Sequence, residues 1–126
     1  MTAQPSRPAA VEPLDEQAIA RLRELDPQGR SGLIARILQT YEASLLRQMA
    51  KLVEARDRAD AKAVGEIAHT LKSSSQSIGA LAMARVCGEI ERALREPAGV
   101  DATPQAERLL AEGDRALVAV RAMLRT

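Results

Sequence analysis

The spacing of the apolar residues most constrains this fold, because they recur with the 3.6-residue period of an α-helix. No segment shows the alternation of apolar and polar residues that a half-buried strand requires. Tyr41 is the only aromatic residue, so aliphatic side chains must fill the core, which favours close-packed helices. The pattern therefore predicts an all-α fold. It is clearest between residues 31 and 57, at Leu33, Ile34, Ile37, Leu38, Tyr41, Leu45, Met49, Leu52 and Val53.

Apolar stripes and their boundaries predict five helices. They cover approximately residues 14–26, 31–57, 60–78, 80–95 and 103–126. Asp15 can cap the first helix, and Thr103 before Pro104 is a suitable start for the last. Gly79 is a natural break between the third and fourth helices. We predict an antiparallel four-helix bundle with a short additional N-terminal helix, spanning residues 14–126.

Residues 1–13 contain three prolines and no helical period, which predicts a disordered tail or linker. The net charge of +1 gives no long-range attraction for nucleic acid or an anionic membrane. No run of about 18 uncharged apolar residues exists, and the N-terminus lacks a secretory signal. The lone Cys87 excludes an internal disulfide. We therefore expect a cytoplasmic protein without a nucleic-acid or membrane partner.

The predicted helices use the apolar stripes fully, so we expect a monomer. The starting Met and a helix that ends close to Thr126 favour a stand-alone protein. The alternative is a domain excised from a larger protein.

His69, the only histidine, lies in the hydroxyl-rich segment 68–80. On a wheel that turns about 100° per residue, Lys72, Ser73 and Gln76 share its side of the helix, and Gly65 leaves bare backbone one turn earlier. The imidazole should therefore project outward. The apolar residues of this helix lie nearly opposite, at Val64, Ile67, Leu71 and Ile78.

This arrangement favours a histidine that acts as a nucleophile on a group delivered by a partner. A metal site is not expected, because no further ligand shares the face of His69. A Ser-His hydrolytic pair is not expected either, because it would need a third orienting group and an oxyanion pocket, and a convex bundle face offers neither. Lys72 is a point charge suited to a phosphoryl oxygen, and Gln76 and Ser73 can donate hydrogen bonds to it. With no carboxylate expected beside His69 to activate water, a phosphohistidine should persist.

The segment resembles the histidine-containing phosphotransfer (HPt) domains of two-component phosphorelays, whose motif is roughly H-x-L-K-G-S/A-S/A-x-x-L/I/V-G-A. This chain reads His69-Thr70-Leu71-Lys72-Ser73-Ser74-Ser75-Gln76-Ser77-Ile78-Gly79-Ala80. Cys87 and Glu89-Ile90-Glu91 fall where the family often has a Cys and an acidic residue. Ser73 replaces the usual glycine, so we expect an altered partner fit or transfer rate. The resemblance covers roughly residues 31–96.

The resemblance implies a phosphoryl carrier rather than an enzyme. His69 would accept the group through Nε2 from an aspartate of a response-regulator receiver domain and pass it to another receiver, in a relay with a hybrid sensor histidine kinase. Lys72 would neutralise phosphoryl charge, Gln76 and Ser73 would orient it, and Gly65 with Gly79 would leave room for the receiver. The receiver would supply Mg²⁺, so the chain needs no cofactor. The alternative is an HPt-like adaptor that regulates a partner without phosphotransfer.

Overall fold

The computed structural model describes residues 11–96 and 101–126, and within these ranges it contains helices and no strand. The predicted all-α fold is confirmed. Residues 1–10 of the predicted tail or linker lie outside the described residues. The helices are α1 (Glu16–Arg23), α2 (Leu33–Asp57), α3 (Ala61–Ser77), α4 (Leu81–Arg95) and α5 (Ala102–Leu124).

Aspartate side chains begin three of the five helices. Asp15 accepts a hydrogen bond from the Ala18 amide at 3.1 Å, which confirms the predicted cap of α1. The predicted start of α5 at Thr103 is wrong, because Asp101 caps that helix and accepts from the Thr103 amide at 3.0 Å. Pro104 consequently lies in the first turn, where its missing N–H leaves no intrahelical hydrogen bond unmade.

Helices α2 to α5 form the predicted antiparallel four-helix bundle. Helix α2 packs between α3 and α5, and α4 completes the bundle by packing on the same two helices. The pairs Glu42–Arg121 and Met49–Gly113 show that α2 and α5 run in opposite directions. The absence of a side chain at Gly113 allows this close approach, since a Cβ there would lie 2.9 Å from the Met49 sulfur.

Apart from Tyr41 the core is aliphatic, and Cys87 is buried in it as a small apolar residue. The expectation that the helices use their apolar stripes fully is wrong for Val53 of α2, which is exposed. Leu46 of α2 and Val118 of α5, which lie outside the predicted stripes, are exposed as well. Val53 follows the buried Leu52 and is therefore rotated about 100° away from it. The largest fully buried side chains include Ile19, Leu38, Leu45, Leu52, Leu71, Met83, Ile90 and Leu109.

The segment before α1 lies across the α3–α4 turn. The Asp15 amide donates to the Gly79 carbonyl at 2.9 Å, and Gly79 has a φ of +81°. A Cβ at Gly79 would lie 2.9 Å from the Asp15 nitrogen. Gly79 is thus buried, and it leaves room for the chain's own N-terminal segment and not, as the resemblance implies, for a receiver domain. Across the described part of the chain, no helix has the length and apolar character needed to cross a membrane.

Candidate functional site around His69

His69 lies in the middle of α3, and 69% of its side chain is exposed. The buried residues Val64, Ile67, Ala68 and Leu71 hold the opposite side of the helix in the core. The outward orientation predicted from the helical wheel is therefore confirmed. An imidazole in this position is accessible to a partner protein without any movement of the bundle.

A buried carboxylate on α4 contacts His69. Glu91 is only 7% exposed, and its Oε2 lies 3.0 Å from His69 Nδ1. The expectation that no carboxylate lies beside His69 is wrong. A wheel drawn for α3 alone shows only neighbours in that helix, whereas Glu91 is 22 residues further on and reaches His69 because α3 and α4 pack antiparallel.

Glu91 is ionised at neutral pH in this environment. Burial raises the pKa of its carboxyl, but the contacts with Lys72 and His69 lower it more, so the pKa lies below its ordinary value. An ionised carboxylate can only accept hydrogen bonds, so Nδ1 of His69 must be the donor. In the neutral imidazole this leaves the lone pair on Nε2, at the exposed edge of the ring.

Lys72 also contacts Glu91. Its Nζ lies 2.8 Å from Oε1, so the ammonium forms an ion pair with the carboxylate. The Lys72 stem lies over Gly88, where a Cβ would be 3.8 Å from Lys72 Cδ. Lys72 shares the face of His69 as predicted, but its ammonium is engaged with the carboxylate, and only 31% of the side chain is exposed.

A fourth residue, Arg95, belongs to this cluster and was not predicted from the sequence. Its Nη2 lies 3.3 Å from Glu91 Oε2, the oxygen that His69 also contacts. The separation of Glu91 and Arg95 by four residues places them on one face of α4. The spacing of Glu91 and Arg95 can be read from the sequence, but it indicates a role for Arg95 only once Glu91 is known to contact His69.

An open depression of about 610 Å³ lies beside His69, between α3 and α4. Gly65 forms part of its wall, and a Cβ at Gly65 would meet only Leu94 Cδ1, at 3.9 Å. The structure therefore brings the bare patch predicted at Gly65 next to the imidazole. The titratable residues that line the depression are Lys62, Glu66, His69, Glu91 and Arg95.

The other predicted site residues lie on the exposed side of α3. Ser73 and Gln76 are exposed, and their side chains make no hydrogen bond within the described part of the chain. Ser75, in contrast, is buried and its hydroxyl lies 2.8 Å from that of Tyr41 on α2. Among the described residues, no group of three or more His, Cys, Asp or Glu side chains could hold a metal ion.

Comparisons with known proteins agree with this geometry. Residues 36–125 match a family model described as Hpt domain. The chain is 40% identical over 88 residues to the sensor histidine kinase AruS of Pseudomonas aeruginosa, a match that covers 70% of this chain and 8% of that protein. The chain thus corresponds to a small part of the kinase.

Two solved structures have a similar fold. The first is histidine-containing phosphotransfer protein B (HptB) of Pseudomonas aeruginosa, with a TM-score of 0.72 and 24% identity over 92% of this chain and 94% of that one. The second is the HPT domain from the Hpt sensor hybrid histidine kinase of Shewanella, with a TM-score of 0.68 and 26% identity over 86% and 92%. Both likenesses agree with the antiparallel bundle described above.

Proposed function

The chain belongs to the Hpt domain family of two-component phosphotransfer proteins, and we propose that His69 carries the phosphoryl group. One observation supports this most directly. The exposed imidazole donates through Nδ1 to the buried Glu91 carboxylate, so that the lone pair of Nε2 faces outward. Glu91 thereby fixes both the tautomer and the orientation of the nucleophile.

We propose that the phosphoryl donor is the phospho-aspartate of a receiver domain. The Nε2 lone pair attacks phosphorus in line, the N–P bond forms, and the P–O bond to the aspartate breaks, returning a carboxylate to the receiver. The ring gains positive charge while Nδ1–H remains hydrogen-bonded to Glu91, which stabilises that charge. The reverse sequence passes the group to the aspartate of a second receiver. The receiver supplies the Mg²⁺, and the chain supplies position and charge.

The residues around His69 have separate roles in this proposal. Lys72 is a positioning residue that holds Glu91 Oε1, and its charge also lies close to the arriving phosphoryl group. Ser73 and Gln76 present free polar groups to the receiver or the phosphoryl oxygens. Gly65 leaves the surface beside the imidazole bare.

Glu91 does not shorten the life of the phosphohistidine in this scheme, although a carboxylate with a free oxygen can activate water. Oε2 accepts from His69, and Oε1 contacts Lys72. Because the carboxylate is also buried, it has no free oxygen to accept a proton from an attacking water.

Incubation of the full chain with phosphorylated receiver domains tests the proposal. We expect phosphate that is labile in acid and stable in base, mapping to His69. His69→Gln should remain folded, because the side chain is exposed, and should take up no phosphate. Thr70→Ala, a change at the neighbouring exposed position, is the matched control and should retain labelling. Receivers that bind the chain but never label it would contradict the proposal and indicate an adaptor.

A further inference from the structure

Glu91 Oε2 has two donors. His69 Nδ1 lies 3.0 Å from it and Arg95 Nη2 lies 3.3 Å from it. The imidazole and the guanidinium therefore divide the accepting capacity of a single oxygen. The longer and weaker of the two contacts belongs to Arg95.

The two cations that contact Glu91 differ in their freedom to move. Lys72 is 31% exposed and its stem lies over Gly88, whereas Arg95 is 70% exposed in the last turn of α4. A guanidinium has five N–H donors, and Arg95 uses one of them on Glu91. Arg95 thus keeps most of its donors free, at the edge of the depression that His69 also lines.

Phosphorylation of His69 would change the charge balance of this cluster. In the resting state one carboxylate faces the Lys72 and Arg95 cations and the imidazole. A phosphoryl group on Nε2 adds close to two negative charges and three acceptor oxygens. A planar guanidinium matches such oxygens with two parallel hydrogen bonds, which its single contact with Glu91 does not provide.

We propose that Arg95 exchanges partners when His69 is phosphorylated, leaving Glu91 Oε2 and donating to the phosphoryl oxygens on Nε2. The inference rests on the proposed function of His69. No covalent bond changes in this exchange. Oε2 then accepts only from Nδ1–H, so the hydrogen bond between Glu91 and the ring strengthens as the ring gains positive charge. Arg95 would then act as a phosphoryl-binding residue specific to the loaded state.

Loading His69 with phosphoramidate, a small phosphoryl donor, tests the exchange without a receiver. We expect the Nε–Hε resonance of Arg95 in a ¹⁵N NMR spectrum to shift on loading. The matched control is Arg92, an exposed arginine of the same helix that makes no ion pair with any described residue and does not line the depression. Its resonance should stay in place. An Arg95 resonance that does not move while His69 is phosphorylated would overturn the inference and leave the proposed function intact.

Variants extend the test to the transfer equilibrium with a receiver. Arg95→Gln should shift phosphate from His69 toward the receiver by roughly two- to fivefold, the scale of one exposed ion pair. Arg95→Lys, which keeps the charge but loses the planar guanidinium, should shift the equilibrium less than Arg95→Gln does. Arg92→Gln should have no effect. Equal effects of Arg95→Gln and Arg92→Gln would contradict a specific contact. A wild-type chain that phosphoramidate cannot label at His69 would refute the proposed function as well.

Discussion

Glu91 determines which nitrogen of His69 is available as the nucleophile, because its ionised carboxylate can only accept a hydrogen bond and Nδ1 is the ring nitrogen that it contacts. Glu91→Gln keeps the shape of the side chain and removes its charge. We expect phosphoryl transfer to slow by about tenfold, the difference between a charged and a neutral hydrogen bond to a ring that gains charge. The rate of transfer from a phosphorylated receiver measures this effect.

The matched control for Glu91→Gln is Glu89→Gln. Glu89 lies on the same helix, and the hydrogen bond from Arg108 of α5 lowers its pKa. The same charge is lost, but far from the imidazole contact. A transfer rate that falls equally in both variants would mean that net charge, and not the hold on Nδ1, sets the rate.

The exposure of His69 could be predicted from the sequence, whereas its contact with Glu91 could not. The exposure of His69 follows from the period of one helix, since the buried residues of α3 fix where its other side points. Glu91 joins the site through the packing of two helices, and the periodicity of either helix contains no information about that contact. The family resemblance placed an acidic residue at Glu91 but gave it no role.

At the scale of the helices, Gly79 and Gly65 contribute in different ways. Gly79→Ala should destabilise the fold by at least about 2 kcal/mol, because a left-handed φ disfavours a side chain and the new Cβ would lie 2.9 Å from the Asp15 nitrogen. Urea unfolding measures the loss. Transfer by the folded fraction should be unchanged, since the turn is outside the depression that His69 lines.

Gly65→Ala should have the opposite profile. The position is inside α3 and open, so alanine should raise the unfolding free energy by about 1 kcal/mol. The added methyl group narrows the bare surface beside His69, so transfer from a receiver should slow while labelling by phosphoramidate persists. An unchanged receiver rate would show that Gly65 does not contribute to docking.

The contact between α2 and α3 includes a buried hydrogen bond between the Tyr41 and Ser75 hydroxyls, 2.8 Å apart. Tyr41→Phe should cost about 1–3 kcal/mol, since it leaves the Ser75 hydroxyl buried without its partner. Adding Ser75→Ala should cost less than the separate changes predict. A double-mutant cycle in urea measures the coupling, and strict additivity would indicate that the bond contributes nothing.

The positions of the helices could be predicted because their start signals act locally. Asp60, like Asp15, caps its own helix through an amide three residues on. The start of α5 was predicted incorrectly because two residues that can cap a helix, Asp101 and Thr103, lie close together, and Asp101 is the one that caps it. Val53 was placed in the buried stripe incorrectly for a different reason. An apolar stripe shows which face of a helix points to the core, but only the neighbouring helices determine how much of that face is buried.

At the scale of the whole molecule, the antiparallel bundle could be predicted because helix count, length and connection order leave few alternatives. The depression beside His69 could not, because its walls come from both α3 and α4. The same packing that builds it encloses two groups that titrate at high pH. Burial raises the pKa of Cys87 from 9.0 to about 12 and that of Tyr41 from 10.0 to about 12.

These shifts predict how the stability of the whole domain depends on alkaline pH. The folded state keeps both protons to about pH 12, whereas the unfolded chain releases them near pH 9.0 and 10.0. Their contribution is complete below pH 9.0 and declines above it, by at most about 1.4 kcal/mol per pH unit for each group. Cys87→Ala should delay this decline to about pH 10.0, and Tyr41→Phe should leave its onset near 9.0. Urea unfolding between pH 8 and 11 measures the pH at which the stability of each variant begins to decline. Subtracting each variant's curve from the wild-type curve removes the contribution of surface lysines, which titrate in all three proteins. Parallel curves for the three proteins would show that neither proton is retained by folding.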